Sequence, residues 1–322
     1  MLSINRRLFL HGSAGMAVVA YLPAFARYAD DVPRSPFDMT ATAEEVTAGI
    51  DLSGKMALVT GCNSGIGLET MRVLALRGAH VLGTARTMEK AEEACASVAG
   101  RCSPLMLELT DFDSVVACAD QVKTMDMPLD ILVCNAGILF RDKREVHGLE
   151  LHFVVNHLGH FLLTHRLLNT IVSAPQGRVV VVGSKSHRLV PDYGIEFDDL
   201  TGRSWTASGY GHSKLANGLF SIELARRFED TAATSNSLHP GSVETNIFRH
   251  AERSVNPNRY LKNLAEGAAT TCYVATSPGL ADVSGYYFDD CNPVEPSALM
   301  QDADMAKRLW DVSEELVREY LA

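Results

Sequence analysis

Lys55-Met56-Ala57-Leu58-Val59-Thr60-Gly61-Cys62-Asn63-Ser64-Gly65-Ile66-Gly67 decides the fold. It opens as a short, mostly apolar run of the kind buried on both faces of a parallel sheet. Leu68 to Arg77 then favours helix, Gly78 ends that helix, and Ala79-His80-Val81-Leu82-Gly83-Thr84 reads as the next strand. Strand, glycine turn, helix, strand is the unit that cradles a dinucleotide. The glycines permit the tight turn and let backbone N–H groups approach a pyrophosphate, whose charge sits at the positive end of the helix. The residue after the second strand selects the coenzyme. A carboxylate there would bind the ribose hydroxyls of NAD, whereas a basic group accommodates the 2′-phosphate of NADP. Thr84-Ala85-Arg86-Thr87 contains no carboxylate, and Arg86 offers a bidentate fork for phosphate, so NADP is expected in preference to NAD. Lys90 is either a second positive charge for that phosphate or solvated surface.

Working outward, the chain has 322 residues, 47% hydrophobic and 21% charged, a globular composition that excludes a disordered chain. A formal net charge of −10 argues against nucleic acid or anionic lipid as a partner recognised through long-range charge. Cys62, Cys95, Cys102, Cys118, Cys134, Cys272 and Cys291 are odd in number and include no C-x-x-C pair, so buried apolar thiols are expected rather than a disulfide scaffold or a zinc site. Residues 1–26 carry Asn5-Arg6-Arg7-Leu8-Phe9-Leu10, an apolar stretch from Ala14 to Phe25 and small residues at Ala24-Phe25-Ala26. This resembles a Tat-type signal peptide and implies a periplasmic location; a cytoplasmic chain or an N-terminal membrane anchor are the alternatives. No later run reaches about 18 apolar residues, so no membrane span is expected in the mature chain. Residues 27–49 form a polar lead-in with Pro33 and Pro36, where Thr42-Ala43-Glu44-Glu45 has capping-box spacing for a short helix. Residues 50–322 show no internal repeat and read as one α/β domain.

Further motifs follow the glycine turn in a fixed order. They are Ile131-Leu132-Val133-Cys134-Asn135-Ala136-Gly137, then Val155-Asn156-His157-Leu158-Gly159-His160-Phe161, Val182-Gly183-Ser184, Tyr210-Gly211-His212-Ser213-Lys214, and His239-Pro240-Gly241 with Val243 and Thr245. With Thr60, Gly61, Gly65 and Gly67 the set resembles the short-chain dehydrogenase/reductase family, and its details resemble the retinol dehydrogenase and WW-domain oxidoreductase branch. No WW domain precedes the matched region. The resemblance implies a single Rossmann-type doubly wound parallel sheet with helices on both faces. It implies catalytic roles for Asn156, Ser184, Tyr210 and Lys214. It places the coenzyme against Gly61, Asn63, Ser64, Gly65, Ile66, Gly67, Arg86, Glu108, Leu109, Asn135, Ala136, Gly137, Tyr210, Lys214, Pro240, Gly241, Val243 and Thr245. Departures from the family pattern are Cys134 where asparagine is common, Gly183 where serine is common, and Glu108 near a usual aspartate.

The chemistry also follows from the residue types. Oxidising an alcohol needs a base for the hydroxyl proton, and an ordinary tyrosine with a pKa near 10 is protonated at neutrality. Lys214 stands four residues after Tyr210, on the same helix face, where its ammonium, together with the positive nicotinamide, is expected to stabilise the phenolate. In the family the lysine also binds the nicotinamide ribose, the serine bonds the substrate oxygen, and the asparagine holds a water leading to the lysine. In the reductive direction Tyr210 is the acid.

His152, His157, His160 and His165 crowd one helix, but the motif accounts for them and no acidic or thiol partner set accompanies them, so no metal is expected. Lys185 to Gly209, with Tyr193, Phe197 and Trp205, is expected to wall or cover the substrate, as is Asn246 to Glu266, with Ile247, Phe248, Val255, Tyr260 and Leu261. Gly285-Tyr286-Tyr287-Phe288 reads as the last parallel strand and Met305 to Leu321 as a terminal helix. The expected function is an NADP-dependent oxidoreductase acting on a lipophilic alcohol, aldehyde or ketone, with a homo-oligomer allowed by analogy. A cofactor-sensing binding protein and an epimerase or dehydratase on the same scaffold are the alternatives.

Overall fold

The computed structural model describes residues 32–247 and 260–321. In chain order the strands of its main sheet are β1 (Met56–Val59), β2 (His80–Ala85), β3 (Cys102–Met106), β4 (Ile131–Cys134), β5 (Arg178–Val182), β6 (Thr234–His239), β7 (Tyr287–Asp289) and β8 (Asn292–Pro293). Their spatial order is β3-β2-β1-β4-β5-β6-β7-β8, parallel throughout except for the last pair. The winding reverses between β1 and β4, so a crevice opens at the carboxyl ends of those two strands.

Helices cover both faces: α1 (Ala43–Val46), α2 (Gly65–Leu76), α3 (Met88–Ala96), α4 (Phe112–Lys123), α5 (Gly159–Val172), α6 (Gly209–Arg227), α7 (Leu264–Thr276) and α8 (Ala303–Leu316). Alternation along the strands divides the core. Leu58, Leu82, Leu132, Val179 and Val181 join the side chains of α4, α5, α6 and α8. Ala57, Val59, Val81, Ile131, Val133 and Val180 join those of α1, α2 and α7 on the opposite face. The apolar runs of the sequence are continuous because both faces are buried.

Three details depart from the sequence reading. β7 starts at Tyr287 and is followed by the short antiparallel β8, reached through Asp290 and Cys291 with φ of 48° and 60°. Two polar-flanked residues carry no strand signal of their own. The terminal helix stops at Leu316, and only a single 3₁₀ turn, Arg318–Tyr320, follows. The lead-in packs on the body: Val32 is buried, Phe37 meets Tyr273 edge-on with ring centroids 5.9 Å apart, and Asn292 holds Ser35 N and Phe37 O at 3.0 Å each. The capping box at Thr42 forms as expected. Residues 1–26, with their arginine pair, lie outside the described residues. No helix among the described residues is long and apolar enough to cross a membrane.

α8 lies across α5 and α6. Trp310 meets Phe161 (4.9 Å between centroids) and Phe220 (5.9 Å), and the Arg227 guanidinium sits 3.9 Å over its ring. Just before α5 the backbone widens into a π-helical turn, Phe153–Leu158, whose His157 Nε2 pairs with Ser313 Oγ of α8 at 2.9 Å. Burial holds His157 neutral, its pKa pushed down to about 3, and His160 and His187 are each pushed down by burial to about 4.

The unfolded chain takes up these protons near pH 6.5, whereas the folded chain refuses them until far lower pH. Stability from these groups is therefore complete above about pH 6.5. It declines as pH falls toward 4, by up to about 1.4 kcal/mol per pH unit for each histidine. Denaturant titrations at pH 7 and pH 5 are expected to show a steeper loss in the native chain than in His157→Gln, and equal losses would contradict this.

Candidate active site

The crevice is built from the ends of β1, β2, β4, β5 and β6. It has a volume of about 370 Å³, within the range of small-molecule sites. At its floor, Thr60 follows directly on β1 and is fully buried. Thr60 Oγ1 accepts hydrogen bonds from Asn135 N and Ala136 N, both at 2.9 Å, and Asn135 Nδ2 donates to Thr60 O at 2.8 Å. Thr60 Oγ1 also meets His160 Nε2 at 2.9 Å and, more loosely, Val133 O at 3.3 Å. His160 Nδ1 lies 3.1 Å from the Asn156 carbonyl, which can only accept, so Nδ1 carries the proton and Nε2 receives the Thr60 hydroxyl hydrogen. One hydroxyl thus ties the glycine turn, the end of β4 and the π-helical turn together.

Gly61 turns the chain at a φ of 71°. Gly67 faces it so closely that a Cβ there would stand 2.3 Å from Gly61 O and 2.5 Å from Asn135 Nδ2. Helix α2 starts after Ser64, whose side chain makes no cap bond, so the first-turn N–H groups are left for a ligand in the crevice. Asn63, Ser64, Gly65, Ile66 and Gly67 all line it. Arg86, just past β2, is exposed on the rim. Glu108 and Leu109 complete that end; the Glu108 carboxylate accepts from Thr110 N (3.0 Å) and Thr110 Oγ1 (2.9 Å). These features fit a dinucleotide: donors for a pyrophosphate, a backbone cradle and a guanidinium at the rim.

Ser184, Tyr210 and Lys214 meet at the opposite end, beside Pro240, Gly241, Val243 and Thr245. Lys214 Nζ donates to Val182 O at 2.8 Å and lies 5.6 Å from the Tyr210 ring centroid. Ser184 Oγ accepts from Ser186 N at 3.2 Å, and His187 Nδ1 donates to Ser184 O at 2.6 Å, fixing the strand end. Gly183 departs from the family pattern for a visible reason: a Cβ would come within 2.9 Å of Leu238 O on β6. Cys134, the other departure, is buried 3.8 Å from Thr164 Oγ1. Asn156 stands behind the wall. Its Oδ1 accepts from Ile138 N at 2.8 Å, and its Nδ2 donates to Ser213 Oγ (2.9 Å) and Ile138 O (3.2 Å). The amide is therefore taken up in holding the segment after β4 against α6.

Burial sets the charge balance of the protein's own groups. It pushes the Tyr210 phenol up to about 12, only partly offset by a hydrogen bond with Ser184, and pushes Lys214 down to about 8. Desolvation thus opposes charge on both groups.

The 185–209 segment contributes little to the crevice among the described residues. Trp205 is buried and stacks on His212 at 4.1 Å, Phe197 packs beneath Arg308, and Tyr193 is exposed; only Ser186 lines the crevice. Phe248 and Val255 of the second expected cover lie outside the described residues, whereas Asn246 and Ile247 reach the crevice. The sequence reading missed Ile138, Leu139, Phe140 and Val155, which form an apolar wall. It also missed Glu150, which is buried and accepts from His152 Nδ1 at 2.6 Å, while Phe140 N donates to His152 Nε2 at 2.9 Å. The sequence signal for that contact is Gly209, directly before Tyr210: a Cβ there would lie 2.3 Å from Glu150 Oε1.

Comparison with known proteins adds a family. A model of short chain dehydrogenases matches residues 55–256. A chloroplastic short-chain dehydrogenase, TIC 32 A of Brassica napus, is 39% identical over 88% of this chain and 95% of its own. Retinol dehydrogenase 12 of Bos taurus is 39% identical over 83% and 88%. The WW domain-containing oxidoreductase of Homo sapiens is 37% identical over 93% and 78%. Among solved structures, an uncharacterised protein from Mycobacterium paratuberculosis superposes with a TM-score of 0.69 at 32% identity, over 85% of this chain and 97% of that one.

Proposed function

The chain belongs to the short-chain dehydrogenase family, and from that premise we propose that it is an NADP-dependent oxidoreductase interconverting an alcohol with an aldehyde or ketone. The observation that carries the reading is the convergence of Ser184, Tyr210 and Lys214 at one end of a crevice whose other end offers the glycine turn and Arg86. A bound nicotinamide dinucleotide supplies the hydride donor or acceptor. The turn from Gly61 to Gly67 and the start of α2 would hold its pyrophosphate, Arg86 its 2′-phosphate, and Lys214 its nicotinamide ribose.

The protein's part is proton transfer and orientation. Ser184 Oγ is the hydrogen-bonding group for the substrate oxygen, beside the Tyr210 hydroxyl. With burial holding the phenol protonated at neutral pH, Tyr210 is ready as the acid that completes carbonyl reduction. As the base for alcohol oxidation it needs added positive charge beside it, from a protonated Lys214 and from an oxidised nicotinamide. Asn156 keeps Ile138 and the catalytic helix in register. The wall of Ile138, Leu139, Phe140, Val155 and Ile247 suits a lipophilic substrate better than a sugar or an acid.

We also propose that the Asn5 to Leu10 segment directs the chain to the periplasm with its coenzyme already bound, since that compartment has no evident supply of NADPH. N-terminal sequencing of the mature protein is expected to begin at about Arg27, and an intact Met1 would refute export.

Tyr210→Phe is expected to lower turnover of a panel of retinoid, steroid and simple carbonyls by at least about 1,000-fold, with NADPH binding preserved. The readout is the absorbance of reduced coenzyme, alongside fluorescence titration of binding. Retained turnover would defeat the acid/base assignment. Arg86→Asp is expected to reverse the preference toward NADH, by about tenfold or more in kcat/KM; unchanged selectivity would assign the phosphate to another group.

A further inference from the structure

Outside the crevice, two cysteines stand apart from the other five. Cys95 lies in the last turn of α3 and Cys102 is the first residue of β3, separated only by Ala96 to Arg101. Both are half-buried, whereas Cys62, Cys118, Cys134, Cys272 and Cys291 are buried. Both side chains pack against the same face of the core, near enough for each thiol to perturb the other. Two features bring them together. β3 pairs in parallel with β2 so that Cys102 stands opposite Val81, and β3 is the outer strand of the sheet. Gly83, two residues beyond Val81 on the same face, leaves room for the Cys95 sulfur: a Cβ at Gly83 would lie 3.2 Å from it. Cys62, the nearest other thiol, instead donates to Val59 O at 3.0 Å.

We propose that Cys95 and Cys102 form a reversible disulfide site that staples α3 to β3 beside β2, the strand that leads to Arg86. The closure proceeds by exchange with a small-molecule or protein disulfide. One cysteine attacks that disulfide and expels a thiol; the second then attacks the mixed disulfide and expels the other. The two cysteines lose two protons and two electrons in all, and the oxidant leaves as two thiols. Because burial pushes both thiols up, Cys102 to about 11, little thiolate exists at neutral pH and the exchange is slow there. The staple closes the connection between helix and strand, removing conformations from the unfolded chain only. An oxidising compartment would keep it closed and a reducing one open.

The test uses the full-length protein with oxidised glutathione at mildly alkaline pH, quenched with N-ethylmaleimide and digested with trypsin. The expected product joins the peptide 91–101 to the peptide 102–123, with fragmentation placing the bond at Cys102 and not Cys118. It reverses with dithiothreitol and raises Tm by several degrees. Cys95→Ser and Cys102→Ser are expected to lose both the crosslink and the Tm rise while still binding NADPH like the native chain. Unresolved glutathione adducts, a bond to Cys62 or Cys118, or seven unreacted thiols would each overturn the proposal.

Discussion

Much of this fold hangs from one saturated hydroxyl. Thr60 Oγ1 accepts from two consecutive backbone N–H groups at the end of β4 and gives its single hydrogen to His160. A valine of the same shape would leave the Ala136 N–H and a buried histidine lone pair without partners, at about 1–3 kcal/mol each, while Asn135 N would keep the Val133 carbonyl. The position is also where the winding reverses, so the bond fixes the two strand ends between which the crevice opens. Through His160 the same network reaches the Asn156 carbonyl, and through the Asn156 side chain it reaches Ile138 and Ser213. Ser213 Oγ in turn donates to Tyr210 O at 2.9 Å. The glycine turn and helix α6 are thus positioned by a connected set of neutral hydrogen bonds, with neutrality enforced by burial of the imidazole.

How far the sequence could be read depended on whether a feature was local. β1, the turn at Gly61 and helix α2 were legible because strand, glycine and helix follow one another without a break. The site residues were legible because their motifs occur in the family's order, and the crevice brings together all of those assigned to it except Asn156, which stands just behind its wall. What escaped was set by distant partners. Glu150 meets Gly209 across the fold, β8 exists only because Asp290 and Cys291 turn the chain back, and Trp205 is buried because His212 offers it a ring to stack upon. A loop aromatic carries no mark of whether it faces a ligand or the core.

The protonation states also had to come from packing. Residue types point to a lysine and a coenzyme cation acting together on a tyrosine, and burial adds that charge is opposed on both side chains. It favours a protonated phenol and weakens the lysine's hold on its proton. A site arranged this way is tuned by what enters it, because a nearby cation shifts the balance far more in a desolvated setting than in water.

The lie of α8 has a consequence for the order of assembly. Ser313 and Trp310 complete the surroundings of the π-helical turn and of α5, yet Ser313 stands 156 positions along the chain from its partner His157. Arg166 Nη1 makes a second tie of the same reach, gripping the Tyr320 carbonyl at 2.6 Å across 154 positions. Contacts so far apart in sequence close only after long loops have been brought together, which slows the ordering of the face they cover.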